Sequence, residues 1–577
     1  MSLVRGAVVW GGVAVALVGV HVSRARAADV AVTAPDAVGR YRVFEAVVHN
    51  DKPYANKFSD VQLRAAYTAP SGRTIEFPGF FDGDGQGGGD ASRGDVWKLR
   101  FMPDELGRWK FAYTWSDGTP GGDGTFACTE ADAGKGVLRA YEKNPRWFSY
   151  NGDEPVLLKS YYETGHGSIA QPFDWITENV YQPLIDRGYN HLQVNWLLSL
   201  CCFGQYYEDG PAPSTTDLAL YEEGDPTSMN LHAWRLMERH VAWLNDRNVG
   251  LHLFLGFEGR KNDGPAWDAM SEQQKDAFVE YVVARLAPHA NIAGWNFVWE
   301  DPGPRESHEL GLARRLAKYD AFNHLRTYQD ENPRDNEYQR EAYTFAAIEN
   351  HQIAAPEKPI DRNYHKTAWT HHIACLVAYV PGKPVFMSEG NALWRRYWSE
   401  RTGATQDDLR QAAWGCVTAG GSFCWNGHAK EYGMTAFGPE GIPFHGDDNP
   451  YTAAAGYIDV LFDVMGREVE FARLEPSDHL LTGHDPFRVW CLAEVGKQYL
   501  VFAAHGEPFA LHLPAGAYAT KWIDAKTGER RPGESLAVAA DEVAEKAPDE
   551  RRNATRGVTL QPPSRDTDWV LVVKEAP

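Results

Sequence analysis

The hydrophobic and polar positions of this chain fall into three successive textures. From about Val30 to Ala133, short segments alternate apolar and polar residues, as in Val61-Gln-Leu-Arg-Ala-Ala-Tyr67 and Trp97-Lys-Leu-Arg-Phe101. Glycine-rich turns separate them, notably Asp82-Gly-Asp-Gly-Gln-Gly-Gly-Gly-Asp90. Alternation with period two gives each strand one face for a core and one for water, so residues 28–135 are expected to form a β-sandwich. Residues 141–467 read differently. Apolar runs of strand length recur at Val156–Tyr162, Asn190–Trp196, Leu251–Phe257, Ile292–Trp299, Leu325–Tyr328, Tyr343–Ile348, Val385–Ser388 and Ser422–Trp425. Between them lie stretches of helical period, including Ser271–Leu286, Glu306–Tyr319, Lys366–Tyr379, Asp407–Ala419 and Tyr451–Met465. Eight strands alternating with helices predict a (β/α)8 TIM barrel. In residues 468–577 strand patterning returns, at Phe487–Leu492, Tyr499–Ala503, Ala510–Leu513 and Thr567–Val573, and predicts a second β-sandwich. The polar stretch Asp541–Asn553 reads as an exposed loop. The expected fold is therefore multidomain, with a central barrel flanked by two β-sandwiches.

Connection lengths orient the barrel. Those leading into strands are minimal (Arg187-Gly-Tyr189, Arg247–Gly250, Pro288–Asn291, Pro381–Pro384), whereas those leaving strands run long, from Trp196 to about Asn230 and from Asn426 to Asn449. One rim is thus elaborated, and in barrel enzymes the rim at the strand C-termini carries the chemistry. Two glutamates end apolar runs on that rim: Glu300 after the fourth run and Glu389 after the seventh. Cleaving a glycosidic bond takes one carboxyl to protonate the leaving oxygen and another, ionised, to attack or support the sugar carbon. Glu300 and Glu389 are the candidate pair, with Asp301 or Glu258 as alternatives to Glu300 in proton transfer.

Other residues at strand ends suit a sugar pocket, where hydrogen-bonding groups surround stacking aromatics. They are Tyr162, Glu163, Asn195, Trp196, Glu258, His351, Trp394, Trp425 and His428. Trp394 belongs to an aromatic and basic loop after Glu389, and Trp425 and His428 belong to the glycine-bounded run Gly420–His428 at the last strand. No metal site is expected. His371 and His372 are adjacent on a helix, where side chains diverge by about 100°, and an EF-hand loop starting at Asp82 would place its bidentate position on Arg93. No cofactor is expected.

The first 27 residues read as a secretory signal, with Arg5, an apolar stretch from Gly6 to about Val22, and Ala25-Arg26-Ala27 as the cleavage site. An uncleaved anchor is the alternative; either way the folded part is expected outside the cytoplasm, secreted or periplasmic, with no membrane insertion after cleavage. Fifty-seven Lys and Arg against 78 Asp and Glu give a formal net charge of −21, which disfavours nucleic acid as a partner. Seven cysteines, odd in number, are too few for a disulfide framework in 577 residues and lack metal spacing, so they read as buried thiols. Twenty tryptophans fit a carbohydrate binder, although most are expected in the core.

Three segments carry a resemblance. Pro78–Gly85 followed by Leu99–Trp109 resembles the N-terminal β-sandwich attached to secreted bacterial glycoside hydrolases. Asn151-Gly-Asp-Glu-Pro-Val-Leu-Leu-Lys159 resembles the opening strand of apiosidase-like (β/α)8 hydrolases, and Lys521-Trp-Ile-Asp-Ala-Lys-Thr-Gly528 resembles that group's C-terminal domain, which bears a collagen-binding label. The resemblance implies a polysaccharide-degrading enzyme related to the clan A retaining glycosidases. In that clan the acid/base ends strand four and the nucleophile ends strand seven, positions matched here by Glu300 and Glu389. The clan places Asn directly before the acid/base; this chain has Trp299 there, with Asn296 four residues before Glu300. The expected function is a retaining glycoside hydrolase acting on a polysaccharide or oligosaccharide. A polysaccharide lyase and a noncatalytic glycan-binding protein are the rival classes.

Overall fold

The computed structural model describes residues 32–163, 172–194, 220–222, 225–254, 270–296, 309–330, 337–350, 370–390, 406–425, 450–540 and 555–576. All eight apolar runs of the middle region form parallel strands: β1 (Ser160–Glu163), β2 (His191–Val194), β3 (Gly250–Phe254), β4 (Ile292–Asn296), β5, β6 (Ala346–Glu349), β7 (Val385–Glu389) and β8 (Gly421–Trp425). Strand β5 is in two pieces, Arg326–Thr327 and Gln329–Asp330, broken at Tyr328. The first piece pairs with β4 and the second with β6, while β1 pairs with both β2 and β8. The break at Tyr328 is therefore where the ring of eight closes.

Helices cover the ring: α1 (Leu231–Asp246), α2 (Glu272–Leu286), α3 (Glu309–Tyr319), α4 (His371–Ala378), α5 (Gln406–Thr418) and α6 (Pro450–Arg467). Their starts follow local chemistry. Asn230 caps α1 by accepting from the Ala233 amide, and Ser271 with Gln274 forms a reciprocal capping box on α2. The helix α1 and the helical stretch 173–186 were not among those singled out above. Among the described residues no helix is long and apolar enough to cross a membrane.

The N-terminal end of the barrel is plugged. Strands Leu138–Ala140, Phe148–Tyr150 and Glu154–Val156 form an antiparallel sheet whose Leu138, Phe148 and Tyr150 pack with Leu158, Phe345 and Phe386 in one buried cluster.

Sheets lie on either side of the barrel in sequence. Before it, a five-stranded and a three-stranded sheet share an aromatic core, with Phe44 stacked on Phe126 at 3.8 Å and Tyr67 on Phe101 at 4.1 Å. After it, a seven-stranded sheet buries Val489, Cys491, Val501 and Leu571 against a three-stranded sheet. Its other face, with Trp490 and Phe502, packs on barrel helices, where Phe502 stacks on Trp414 and Trp490 on His372. Burial on both faces explains the unbroken apolar run Tyr499–Ala503. The loop at Asp82 is a turn: Asp84 accepts from the Gln86 and Gly88 amides, and Asp82 itself is buried in ion pairs with Lys98 and Arg285. Cys128, Cys375, Cys416, Cys424 and Cys491 are buried thiols; Cys201, Cys202 and the first 31 residues lie outside the described set.

Four buried histidines make stability sensitive to acid. Burial pushes His191 and His240 down to about 3 and His289 to about 4, and pushes His252 well below its ordinary value. The unfolded chain takes up these protons near pH 6.5, whereas the folded chain takes them up only near pH 4 or below. The unfolded state therefore binds more protons between these limits, so stability from these groups is complete above about pH 6.5 and is lost as pH falls. The melting temperature, followed by calorimetry, should fall steadily from pH 7 to pH 4.5; a flat profile would contradict the burial argument.

Candidate active site

The site is built on β5, β6 and β7. Strand β7 is buried along its whole length, and Glu389 at its C-terminal end is only 3 % exposed. A carboxylate sits in such a place only with polar partners, because desolvating it alone is costly. The partners come from a break in register. Ala346, Ala347 and Ile348 of β6 face Val385, Phe386 and Met387 in order, but the next pair is Glu349 with Glu389. Ser388 is the extra residue, a bulge of the kind that re-aims side chains next to active sites. Its hydroxyl donates to the Ile348 carbonyl at 3.1 Å, so the interrupted ladder keeps its acceptor satisfied. The Glu389 carbonyl in turn accepts from the Asn350 amide at 2.9 Å, and His371 of α4 donates to the Asn350 carbonyl at 2.8 Å.

The bulge brings two carboxylates to one donor. Gln329 Nε2 on β5 lies 3.1 Å from Glu349 Oε2 and 3.2 Å from Glu389 Oε2, and all three side chains are buried. On the next strand round, Asn296 Nδ2 donates to His252 Nε2 at 2.9 Å. That bond requires an unprotonated Nε2, in keeping with the burial-depressed pKa of His252. Gly294, below Asn296, leaves room for Phe345: a Cβ there would stand 2.9 Å from the ring. Burial pushes the Cys424 thiol on β8 up, and the Glu389 charge adds to the effect.

The expected site residues divide into three groups. Glu300, Asn195, Trp196, Glu258, His351, Trp394 and His428 lie outside the described residues. Tyr162 and Glu163 end β1, with Tyr162 buried in the barrel-interior cluster beside Phe148 and Phe386. Trp425 is the correction: it is 1 % exposed, its indole donates to the Tyr189 hydroxyl at 2.7 Å, and it packs edge-on against Tyr161. Its neighbour Cys424 belongs to the interior cluster, and successive strand residues face opposite ways, so Trp425 is directed at the helical layer and has no free face for a sugar. His371 and His372 diverge as expected, the second reaching Thr418 and Asp478. Among the described residues no group of three or more His, Cys, Asp or Glu is arranged to hold a metal ion.

Solved structures share this fold. A protein of Bacteroides vulgatus ATCC 8482, described as a candidate glycoside hydrolase, superposes with a TM-score of 0.69 at 16 % identity, over 94 % of this chain and 100 % of its own. A glycoside hydrolase family 5 protein from the same organism gives 0.53 at 17 % identity, over 77 % and 93 %. A further glycoside hydrolase gives 0.52 at 16 % identity, over 77 % and 97 %. The chain shares its fold with glycoside hydrolases. Residues 37–116 match a family described as a domain of unknown function (DUF5060). No curated protein matches the sequence.

Gln329, Glu349 and His252 were not singled out from the sequence, and Asn296 was noted only as the asparagine four residues before Glu300. Glu349 follows Ala346-Ala-Ile348 as Glu389 follows its own apolar run, so the same signal was available there. Gln329 had none, since its role depends on the break at Tyr328.

Proposed function

We propose that the protein is a secreted retaining glycoside hydrolase of the apiosidase-like group, with the flanking sheets as two β-sandwich domains. Glu389 attacks the anomeric carbon to form a glycosyl-enzyme, while Glu300 protonates the departing oxygen and then activates the water that releases the sugar. The substrate is a polysaccharide or oligosaccharide. The observation that carries this reading is Glu389 itself: a buried carboxylate at the C-terminal end of β7, aimed by a bulge and held by an amide donor. A nucleophile needs that kind of fixed orientation, because attack requires alignment with the bond being broken. The shared fold with glycoside hydrolases supports the reaction class.

The test is turnover of a panel of plant and algal polysaccharides, followed by reducing-end release and by NMR of the first-formed anomer. New reducing ends with retained configuration are expected. Inverted configuration would reject double displacement, an unsaturated product absorbing in the ultraviolet would indicate a lyase, and binding with no turnover would indicate a glycan-binding protein.

A further inference from the structure

The two carboxylates on a single amide have a consequence for the chemistry at Glu389. A glutamine side chain carries two N–H donors on one nitrogen and an acceptor on its oxygen, so its orientation is set by what surrounds it. Glu349 and Glu389 both present oxygens to the nitrogen of Gln329. Gln329 Oε1 has no partner among the described residues, so nothing on that side competes to turn the amide over. Its backbone is fixed as well: past the break at Tyr328, Gln329 and Asp330 pair with β6, with Gln329 opposite Ala347. The Tyr328 carbonyl accepts from the Tyr338 hydroxyl at 3.2 Å, and the Tyr328 ring packs against Tyr338 and Tyr343.

We infer that Gln329 is a positioning residue for Glu389, its amide clamping the attacking carboxylate in one rotamer while Glu349 holds the amide in the donating orientation. The catalytic part of this inference rests on the reading of Glu389 as the nucleophile. One N–H directed to each carboxylate offsets the repulsion between the two charges. The donor also stabilises the ionised form, the one able to attack. Among the described titratable groups, Cys424 on β8 feels the Glu389 charge, and His371 on α4 lies behind Asn350, whose amide donates to the Glu389 carbonyl.

The test compares wild type with Gln329→Met, which keeps length and packing but removes the donor, and with Gln329→Glu, which replaces it by a third carboxylate. Kinetics use 2,4-dinitrophenyl glycosides of neutral pentoses and hexoses. Gln329→Met should lower kcat about 100-fold with KM nearly unchanged, and Gln329→Glu should lower it further. The acid limb of the pH profile should move up by about one pH unit, because losing a hydrogen bond to the charged form raises the carboxyl's titration point. A second measurement needs no turnover: the Glu389 carboxyl is titrated by 13C NMR in δ-13C-glutamate-labelled protein, its resonance assigned by its loss in Glu389→Gln. A midpoint about one unit higher in Gln329→Met is expected. An unchanged midpoint in a folded variant overturns the clamp whatever the activity. A shifted midpoint in a protein whose Glu389→Gln variant still turns over overturns the nucleophile reading and leaves the clamp standing.

Discussion

Glu389→Gln should abolish turnover while leaving the protein folded. The substituted side chain has the same shape and its amide oxygen still accepts from Gln329, so the 3.2 Å contact and the packing of β7 survive. What is lost is the negative oxygen that forms the covalent bond to the anomeric carbon, and an uncharged amide does not replace it. Nucleophile removal costs on the order of 10⁴-fold or more in kcat, the residual rate coming from binding and the remaining polar groups. The check is kcat on whichever glycan the wild type hydrolyses, with circular dichroism and melting temperature in parallel. A folded variant retaining a tenth of the rate would remove Glu389 from the mechanism.

The second large effect lies far from the rim. Glu238 on α1 accepts from Arg285 on α2 at 2.6 and 2.9 Å and from Arg100 on the strand Val96–Phe101 at 2.7 and 3.3 Å. Lys98 pairs with Asp82 at 2.9 Å, and Glu45 accepts from Arg100 at 2.6 Å, so three acids face three bases across the contact between the N-terminal sheets and the barrel helices. Burial alone would raise the Glu238 carboxyl; Arg100 and Arg285 outweigh it and hold the group well below the usual range. Because the folded value is depressed, this stabilisation is present above about pH 4.5 and lost as pH falls below it. Replacing Glu238 by Ala leaves two guanidinium groups buried together, neither able to shed its proton. The expected loss is about 3 to 5 kcal/mol, read from urea unfolding of the full chain. A change under about 1 kcal/mol would show that the network relaxes into water.

The barrel was legible because its strands are buried on both faces and are therefore largely apolar, as in Val385–Met387, and because short connections before strands and long ones after them set the order of strands and helices. What could not be read are the features that register decides. Nothing local in Val385-Phe-Met-Ser-Glu389 says that Ser388 will bulge and place Glu389 opposite Glu349; that depends on how β6 and β7 align. Trp425 was misplaced for a related reason: in a strand that is apolar on both faces, pattern alone does not say which residues face the lumen. The Arg100–Glu238–Arg285 network joins residues 138 and 47 positions apart, beyond the reach of any periodicity.

The central claim is that Glu389 forms the bond to the sugar. It is tested most directly by treating the protein with a 2-deoxy-2-fluoro glycosyl fluoride matching the sugar it hydrolyses, then mapping the adduct by peptide mass spectrometry. One added glycosyl group, on Glu389, is the expected result. A label on any other carboxylate, Glu349 included, or steady hydrolysis with no trapped adduct, would contradict it.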